Sequence, residues 1–152
     1  MSNSTPIIML PRSRRDYPKL LAGLKRQSEE AKKLPTEAFR WLCRNDLFFL
    51  LRYGLNAWYC ESDWVFARCR EVQAEPDGYL DLWAREHFKS TILTFALSIQ
   101  EILKDPDVTI GIFSHTRPIA KAFLRQIKRE FEANELLKSW FPDILWANPQ
   151  KE

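Results

Sequence analysis

A lysine followed by two hydroxyl residues, Lys89-Ser90-Thr91, stands between a short apolar segment and a long one. That order of strand, loop and helix is the context that a phosphate-binding loop requires. In such a loop Lys89 would contact the β- and γ-phosphates and the Ser90 hydroxyl would bind Mg²⁺, while backbone N–H groups at the helix N-terminus would bind phosphate oxygens. The usual pattern has two glycines, and this chain has Trp83 and Phe88 at their positions. The alternative is that Ser90 or Thr91 only caps a helix.

Three ionisable residues, Arg85, Glu86 and His87, precede Phe88 and Lys89 within the same loop. Arg85 offers a second cation for phosphate, or forms an exposed pair with Glu86. A carboxylate at Glu86 would repel an anionic ligand. His87 either lines the phosphate pocket or packs locally. The predicted nucleotide-binding set therefore has seven consecutive residues, from Arg85 to Thr91.

Two short apolar segments, Tyr79–Trp83 and Val108–Phe113, are predicted to be strands, the second fully buried. The intervening residues, Ser90–Lys104, are apolar nearly all round and predict a helix packed on more than one side. A further helix is predicted over Arg117–Asn134, with Thr116 as its N-cap. Alternating strands and helices predict an α/β fold with a parallel, P-loop NTPase-like sheet and a right-handed crossover. His115, at the carboxyl end of the second strand, either senses the phosphate or merely caps the next helix.

Helices are also predicted ahead of this region. One spans about Tyr17 to Lys33, and another opens at Thr36 and continues to about Tyr53, with Gly54 as its stop. A shorter helix ends near Gln73, and the sequence Glu-Pro-Asp-Gly at 75–78 predicts a turn.

Charge and cysteine content narrow the function classes. The net charge of the 152 residues is +3, of which residues 1–33 contribute +5 and the remainder −2. This basic leader either contacts DNA or an acidic partner, or is simply solvated. The three cysteines have no Cys-x-x-Cys spacing, which favours buried free thiols over a zinc site. No run is long and apolar enough to span a membrane, and no secretion signal is read, so a cytoplasmic protein is expected.

Several segments, in one order, resemble those of tailed-phage terminase large subunits, the ATPases that pump DNA into procapsids. Leu82–Thr91 looks like their deviant Walker A loop, in which Arg and His often replace the glycine-rich spacing. The other similar segments, which together cover most of residues 36–149, are 46–53, 64–72, 109–116 and 123–134.

The resemblance implies ATP and Mg²⁺ as ligands, and double-stranded DNA, the small terminase subunit and the portal as partners, in an infected or lysogenic bacterial host. It also implies a basic leader, a helical segment and the first, incomplete part of a P-loop ATPase core, at residues 1–35, 36–78 and 79–152. The family's acidic strand motif and nuclease domain are not found, so the chain looks like the N-terminal part of an ATPase domain. Self-association through the incomplete sheet is a further expectation.

The acidic residues that an ATPase uses to bind Mg²⁺ and to orient the attacking water are not found in the sequence. Such enzymes use an apolar strand ending in Asp, whereas Val108–Phe113 ends in Ser114 and a proline breaks the run before Asp143. The chain itself is therefore expected to bind nucleotide without rapid turnover. The alternative function is a non-catalytic interaction module in which the loop is a relic.

Overall fold

Helices account for all the regular structure of residues 8–31, 36–74 and 80–145, the parts of the chain that the computed structural model describes. Short 3₁₀ turns lie at Arg14–Asp16 and Trp58–Cys60. Helix α3 continues directly into a π-helical segment, Leu50–Gly54, and α5 has a π-helical first half and an α-helical second half. In chain order the helices are α1 (Tyr17–Ala31), α2 (Thr36–Asn45), α3 (Leu47–Phe49), α4 (Asp63–Ala74), α5 (Ser90–Leu97 and Ser98–Lys104), α6 (Arg117–Ala133) and α7 (Glu135–Trp140).

The predicted parallel sheet is wrong, because none of the described residues forms a β-strand. Tyr79 lies outside the described residues, and the rest of the first predicted strand, Leu80 to Trp83, is irregular. The second predicted strand, Val108–Phe113, is irregular as well and is not buried, since 95% of the Phe113 side chain is exposed. Apolar composition favours a strand only where a second strand accepts and donates its backbone hydrogen bonds, and no described segment does so here.

The predicted long helix from Thr36 to about Tyr53 is interrupted at Asp46. This residue is extended and accepts a hydrogen bond from the backbone N–H of Phe49 at 3.1 Å, so it caps a new helix, α3. The π-helical segment then ends at Gly54, as the sequence predicts. A side chain at Gly54 would clash, because its Cβ would lie 2.9 Å from Leu50 Cδ1.

The other predicted helices are confirmed within the described residues. Helix α1 begins at Tyr17, α5 covers the predicted Ser90–Lys104, and α6 begins after Thr116, although the Thr116 side chain makes no capping hydrogen bond. The end of the first predicted helix, Lys33, and the turn at 75–78 lie outside the described residues. Among the described helices, none is long and apolar enough to cross a lipid bilayer.

One hydrophobic core includes side chains from all three segments of the predicted organisation, residues 1–35, 36–78 and 79–152. Tyr17 of α1 lies 5.3 Å from Phe48 of α3, measured between ring centroids, and both side chains are fully buried. Helices α4, α5 and α7 add apolar side chains to the same cluster. The three cysteines are buried free thiols, as predicted. The largest side chains that are fully buried are Tyr17, Phe48, Phe49, Phe141, Leu42, Leu47, Leu50, Leu51, Ile92, Ile99, Leu103 and Leu137.

Candidate phosphate-binding loop

Helix α5 is fixed in the core by polar contacts from α2 and α4, and this sets the position of the loop that precedes it. The buried Gln100 amide donates to the Cys43 carbonyl at 2.9 Å and accepts a hydrogen bond from Gln73 at 3.2 Å. At the C-terminal end of α5, Arg44 Nε donates to the Leu103 carbonyl at 2.7 Å. These bonds satisfy backbone carbonyls that would otherwise be buried without partners, so the orientation of α5 is well determined.

The start of the loop is anchored to α4 through Trp83. The Arg68 guanidinium lies 4.6 Å from the centroid of the Trp83 ring, and Trp64 packs edge-on against the same ring at 5.2 Å. Arg68 also donates to Asp81 at 3.3 Å. Trp64 and Arg68 are four residues apart and therefore lie on one face of α4. This helix face holds the segment that leads into the loop.

The end of the loop is anchored through Phe88, whose half-buried ring packs against the core and lies 5.8 Å from the Tyr59 ring. Trp83 and Phe88 occupy the two positions at which the usual pattern has glycine. The loop is thus fixed at both ends by aromatic packing. Sequence reasoning did not identify Trp64, Arg68 and Tyr59 as supporting residues; the spacing of Trp64 and Arg68 on one helix face was the available signal.

The backbone of the loop has two residues in the left-handed region, Glu86 with φ 65° and Phe88 with φ 57°. Residues other than glycine adopt this conformation at a cost of about 1–2 kcal/mol each. Lys89, the next residue, is right-handed helical, with φ −50° and ψ −56°. Successive residues of opposite hand turn their N–H groups toward one side and form a concavity that binds anions.

Six of the seven predicted site residues line one cavity of about 490 Å³, together with Ala84: they are Arg85, Glu86, Phe88, Lys89, Ser90 and Thr91. That volume lies in the range of small-ligand sites. Lys89 and Ser90 are exposed, so both are free to contact a ligand from solvent. His87 does not line this cavity; its Nδ1 lies 2.8 Å from the Arg85 carbonyl oxygen and its ring packs edge-on against Trp64.

The first turn of α5 has no side-chain cap. The helix begins at Ser90 with Lys89 at the N-cap position, and no side chain accepts a capping hydrogen bond there. Ser90 and Thr91 lie inside the helix, so neither acts as the N-cap that the alternative interpretation requires. The first N–H groups of a helix have no intrahelical acceptor, and an oxyanion is a suitable partner for them.

Two carboxylates that could assist hydrolysis, those of Asp81 and Asp143, are paired with arginine side chains. Asp81 pairs with Arg68, and Asp143 accepts two hydrogen bonds of 2.6 Å from the Arg40 guanidinium. That pairing with Arg40 lowers the pKa of Asp143 below its ordinary value. His115, whose role the sequence does not decide, is exposed. Among the described residues, no group of three or more His, Cys, Asp or Glu side chains is arranged to hold a metal ion.

Comparison with known proteins leaves the resemblance as a hypothesis. No family model, no curated protein and no solved structure matches this chain.

Proposed function

We propose that the loop from Arg85 to Thr91 binds the phosphates of ATP together with Mg²⁺, and that the chain is the N-terminal ATPase-domain part of a phage DNA-packaging motor. In this role it would act in the cytoplasm of an infected or lysogenic bacterial host, with double-stranded DNA, the small terminase subunit and the portal as partners. The proposal depends on the loop and the first turn of α5, and the predicted parallel sheet has no part in it.

The observation that carries the proposal is the backbone conformation at Phe88. This residue stands at the glycine position directly before the lysine, and it has the positive φ that glycine adopts there at no steric cost. A strained backbone at the mouth of a helix, beside an exposed lysine and serine, is typical of a ligand site rather than of a simple connection.

Each part of the loop would contact the phosphates of ATP or the Mg²⁺ in a distinct way. Backbone N–H groups of the loop and of the first turn of α5 would donate to phosphate oxygens, and Lys89 would supply positive charge. The Ser90 hydroxyl would bind the Mg²⁺, which neutralises charge on the β- and γ-phosphate oxygens when bound. Phosphoryl transfer also requires an oriented water, and Glu86 is the one carboxylate among the described residues that line the cavity. The chain would therefore hold nucleotide more effectively than it would hydrolyse it.

Thermal unfolding with and without Mg-ATP tests the proposal. At a nucleotide concentration of 100 times Kd, binding stabilises the folded state by about 2.7 kcal/mol, which raises Tm by roughly 5–10 °C for a chain of this size. Lys89→Ala should lose this increase. Lys121→Ala, which removes an exposed lysine from α6, should retain it. Equal Tm increases for the wild type and Lys89→Ala would overturn the role of the loop.

A second candidate function, a non-catalytic interaction module, is favoured by one specific observation. Leu80, Leu82 and Phe113 are 78%, 83% and 95% exposed, and a partner that covered these apolar side chains would gain the free energy of their burial. If Mg-ATP produces no stabilisation while the sedimentation coefficient rises with protein concentration in the wild type but not in Phe113→Ser, the module and its self-association are the better description.

A further inference from the structure

A second cavity lies on a different part of the molecule and shares no residue with the phosphate-binding loop. It has a volume of about 480 Å³ and is formed where α1, α2, α3 with its π-helical segment, and α7 meet. Its size is that of a small-molecule site. Four of the nine described residues that line it are aromatic, namely Phe39, Phe49, Tyr53 and Trp140.

The four rings form a continuous apolar wall rather than separate patches. Phe39 lies 4.9 Å from Trp140 and 6.2 Å from Phe49, and Phe49 lies 5.3 Å from Tyr53, measured between ring centroids. Phe49 is fully buried and Trp140 is 9% exposed, whereas Phe39 and Tyr53 are half-buried. The first two rings are therefore the floor of the cavity and the other two are its rim. Flat apolar groups stack favourably against such walls.

Among the described residues that line this cavity, the charge has one sign. Lys25 of α1 is the charged residue among those that line it, and its ammonium forms no ion pair with any residue whose side chain the structure describes. The other polar side-chain groups of the described lining are the hydroxyls of Thr36, Tyr53 and Ser139 and the indole N–H of Trp140, and none of them is an ionised group at neutral pH. An ammonium beside an apolar wall attracts a molecule that combines a hydrophobic body with a negative charge.

We propose that this cavity binds a small amphiphilic anion, with a flat aromatic body against the four rings and an acidic group at Lys25. The site is independent of the proposed nucleotide binding, because different helices and different cations form it.

A dye of matching chemistry tests this. 8-Anilinonaphthalene-1-sulfonate carries an aromatic body and one sulfonate, and N-phenyl-1-naphthylamine is its neutral counterpart. The anionic dye should bind the wild type with saturable fluorescence at one site per chain. Lys25→Gln should weaken its binding about fivefold, the factor expected for about 1 kcal/mol of exposed charge pairing. The neutral dye should bind both proteins equally.

Two comparisons separate the cavity from other surfaces. Lys19→Gln removes an exposed lysine of α1 that does not line the cavity and should leave dye binding unchanged. Phe113→Ser removes the most exposed aromatic ring of the described residues and should also leave dye binding unchanged. Equal effects of Lys25→Gln and Lys19→Gln would overturn the role of Lys25, and loss of binding in Phe113→Ser would place the dye on the exposed surface instead.

Filling the cavity provides the remaining test. Ser139→Phe and, separately, Leu136→Trp place a larger side chain at the rim from positions that are already exposed. Cooperative urea unfolding identifies which of the two variants is folded. Each folded variant should lose at least tenfold in dye affinity, and unchanged affinity would refute the site. Mg-ATP should not displace the dye, whatever the outcome of the nucleotide experiments, and displacement would contradict the independence of the two sites.

Discussion

Asp46 is the residue whose replacement should destabilise the fold most clearly. Its carboxylate is fully buried and accepts hydrogen bonds from the Tyr17 hydroxyl at 2.6 Å, Arg70 Nη2 at 3.0 Å and the Phe49 backbone N–H at 3.1 Å. These three donors come from α1, α4 and α3. Burial, and then the charge of Asp46, raise the pKa of Tyr17 well above its ordinary value, so the hydroxyl remains a donor across the working pH range.

Asp46→Ala should lower the free energy of unfolding by about 3–5 kcal/mol. Removing Asp46 leaves the Arg70 guanidinium, whose side chain is only 25% exposed, without its carboxylate partner, and this is the main part of that cost. The loss of the helix cap, typically about 1 kcal/mol, is included in that range because contributions within one network do not add. For a chain of this length the corresponding decrease in Tm is roughly 6–20 °C. Urea unfolding, followed by tryptophan fluorescence and far-UV circular dichroism, measures the difference.

Asp63 provides a matched control, because its carboxylate also accepts a short hydrogen bond from an arginine, Arg14 Nε at 2.6 Å, but is 67% exposed. Asp63→Ala should cost less than about 1 kcal/mol, since an exposed ion pair is screened by water. Asp46→Asn keeps an oxygen for the Phe49 N–H and removes the charge, so its cost should lie between the two. If Asp46→Ala cost no more than Asp63→Ala, the burial argument would be refuted.

Three further outcomes are expected. Glu86→Gln should bind Mg-ATP about fivefold more tightly at low salt, since an exposed like charge near phosphate costs about 1 kcal/mol, and equal affinities by calorimetry would contradict this. Steady-state phosphate release from the wild type should remain well below about 1 s⁻¹, and faster release that disappears in Lys89→Ala would reveal an overlooked catalytic acid. Burial raises the pKa of Cys60 from 9.0 to about 11. Because the unfolded chain then loses this proton first, the free energy of unfolding should decrease between about pH 9 and 11, and a decrease of the same size in Cys60→Ala would exclude this thiol as the cause.

The sequence predicted α1, α4, α5 and α6, four of the helices whose apolar side chains reach the core. Helix α5 is the clearest case. Its sequence is apolar nearly all round, which predicts a helix packed on more than one side, and Ile92, Ile99 and Leu103 are fully buried. The break at Asp46 had a local signal, an N-capping residue before an apolar run, but the apolar residues on both sides favoured one longer helix. The positions of α1, α4, α5 and α6 therefore followed from the sequence, whereas α7, the π-helical segments and the interruption at Asp46 were not predicted. The interruption depends on the buried partners of the Asp46 carboxylate, Tyr17 and Arg70, which lie far away in the sequence.

The two predicted strands were wrong because composition alone does not determine a strand. A strand forms only where residues elsewhere in the chain supply a pairing partner. Val108–Phe113 is rich in apolar and β-branched residues, which favour a buried strand. In the structure residues Ile110 to Phe113 line a cavity of about 390 Å³ beside α5. A single apolar segment carries no information about whether a partner strand exists, and this limits any prediction made from it.

Phe88 shows what an aromatic residue contributes to the loop at a position where the phosphate-binding pattern has glycine. Glycine adopts positive φ readily, but it adds nothing to fix the loop and increases the conformational entropy of the unfolded chain. Phe88 reaches φ 57° at a steric cost of about 1–2 kcal/mol, and its half-buried ring packs against the core and Tyr59. Fully burying such a ring stabilises the folded state by about 1.5–3 kcal/mol, so the half-buried ring of Phe88 contributes roughly half of that, which offsets a large part of the strain. An aromatic residue at a glycine position therefore does not argue against a phosphate-binding loop, provided that a pocket for its ring lies beside the strained backbone.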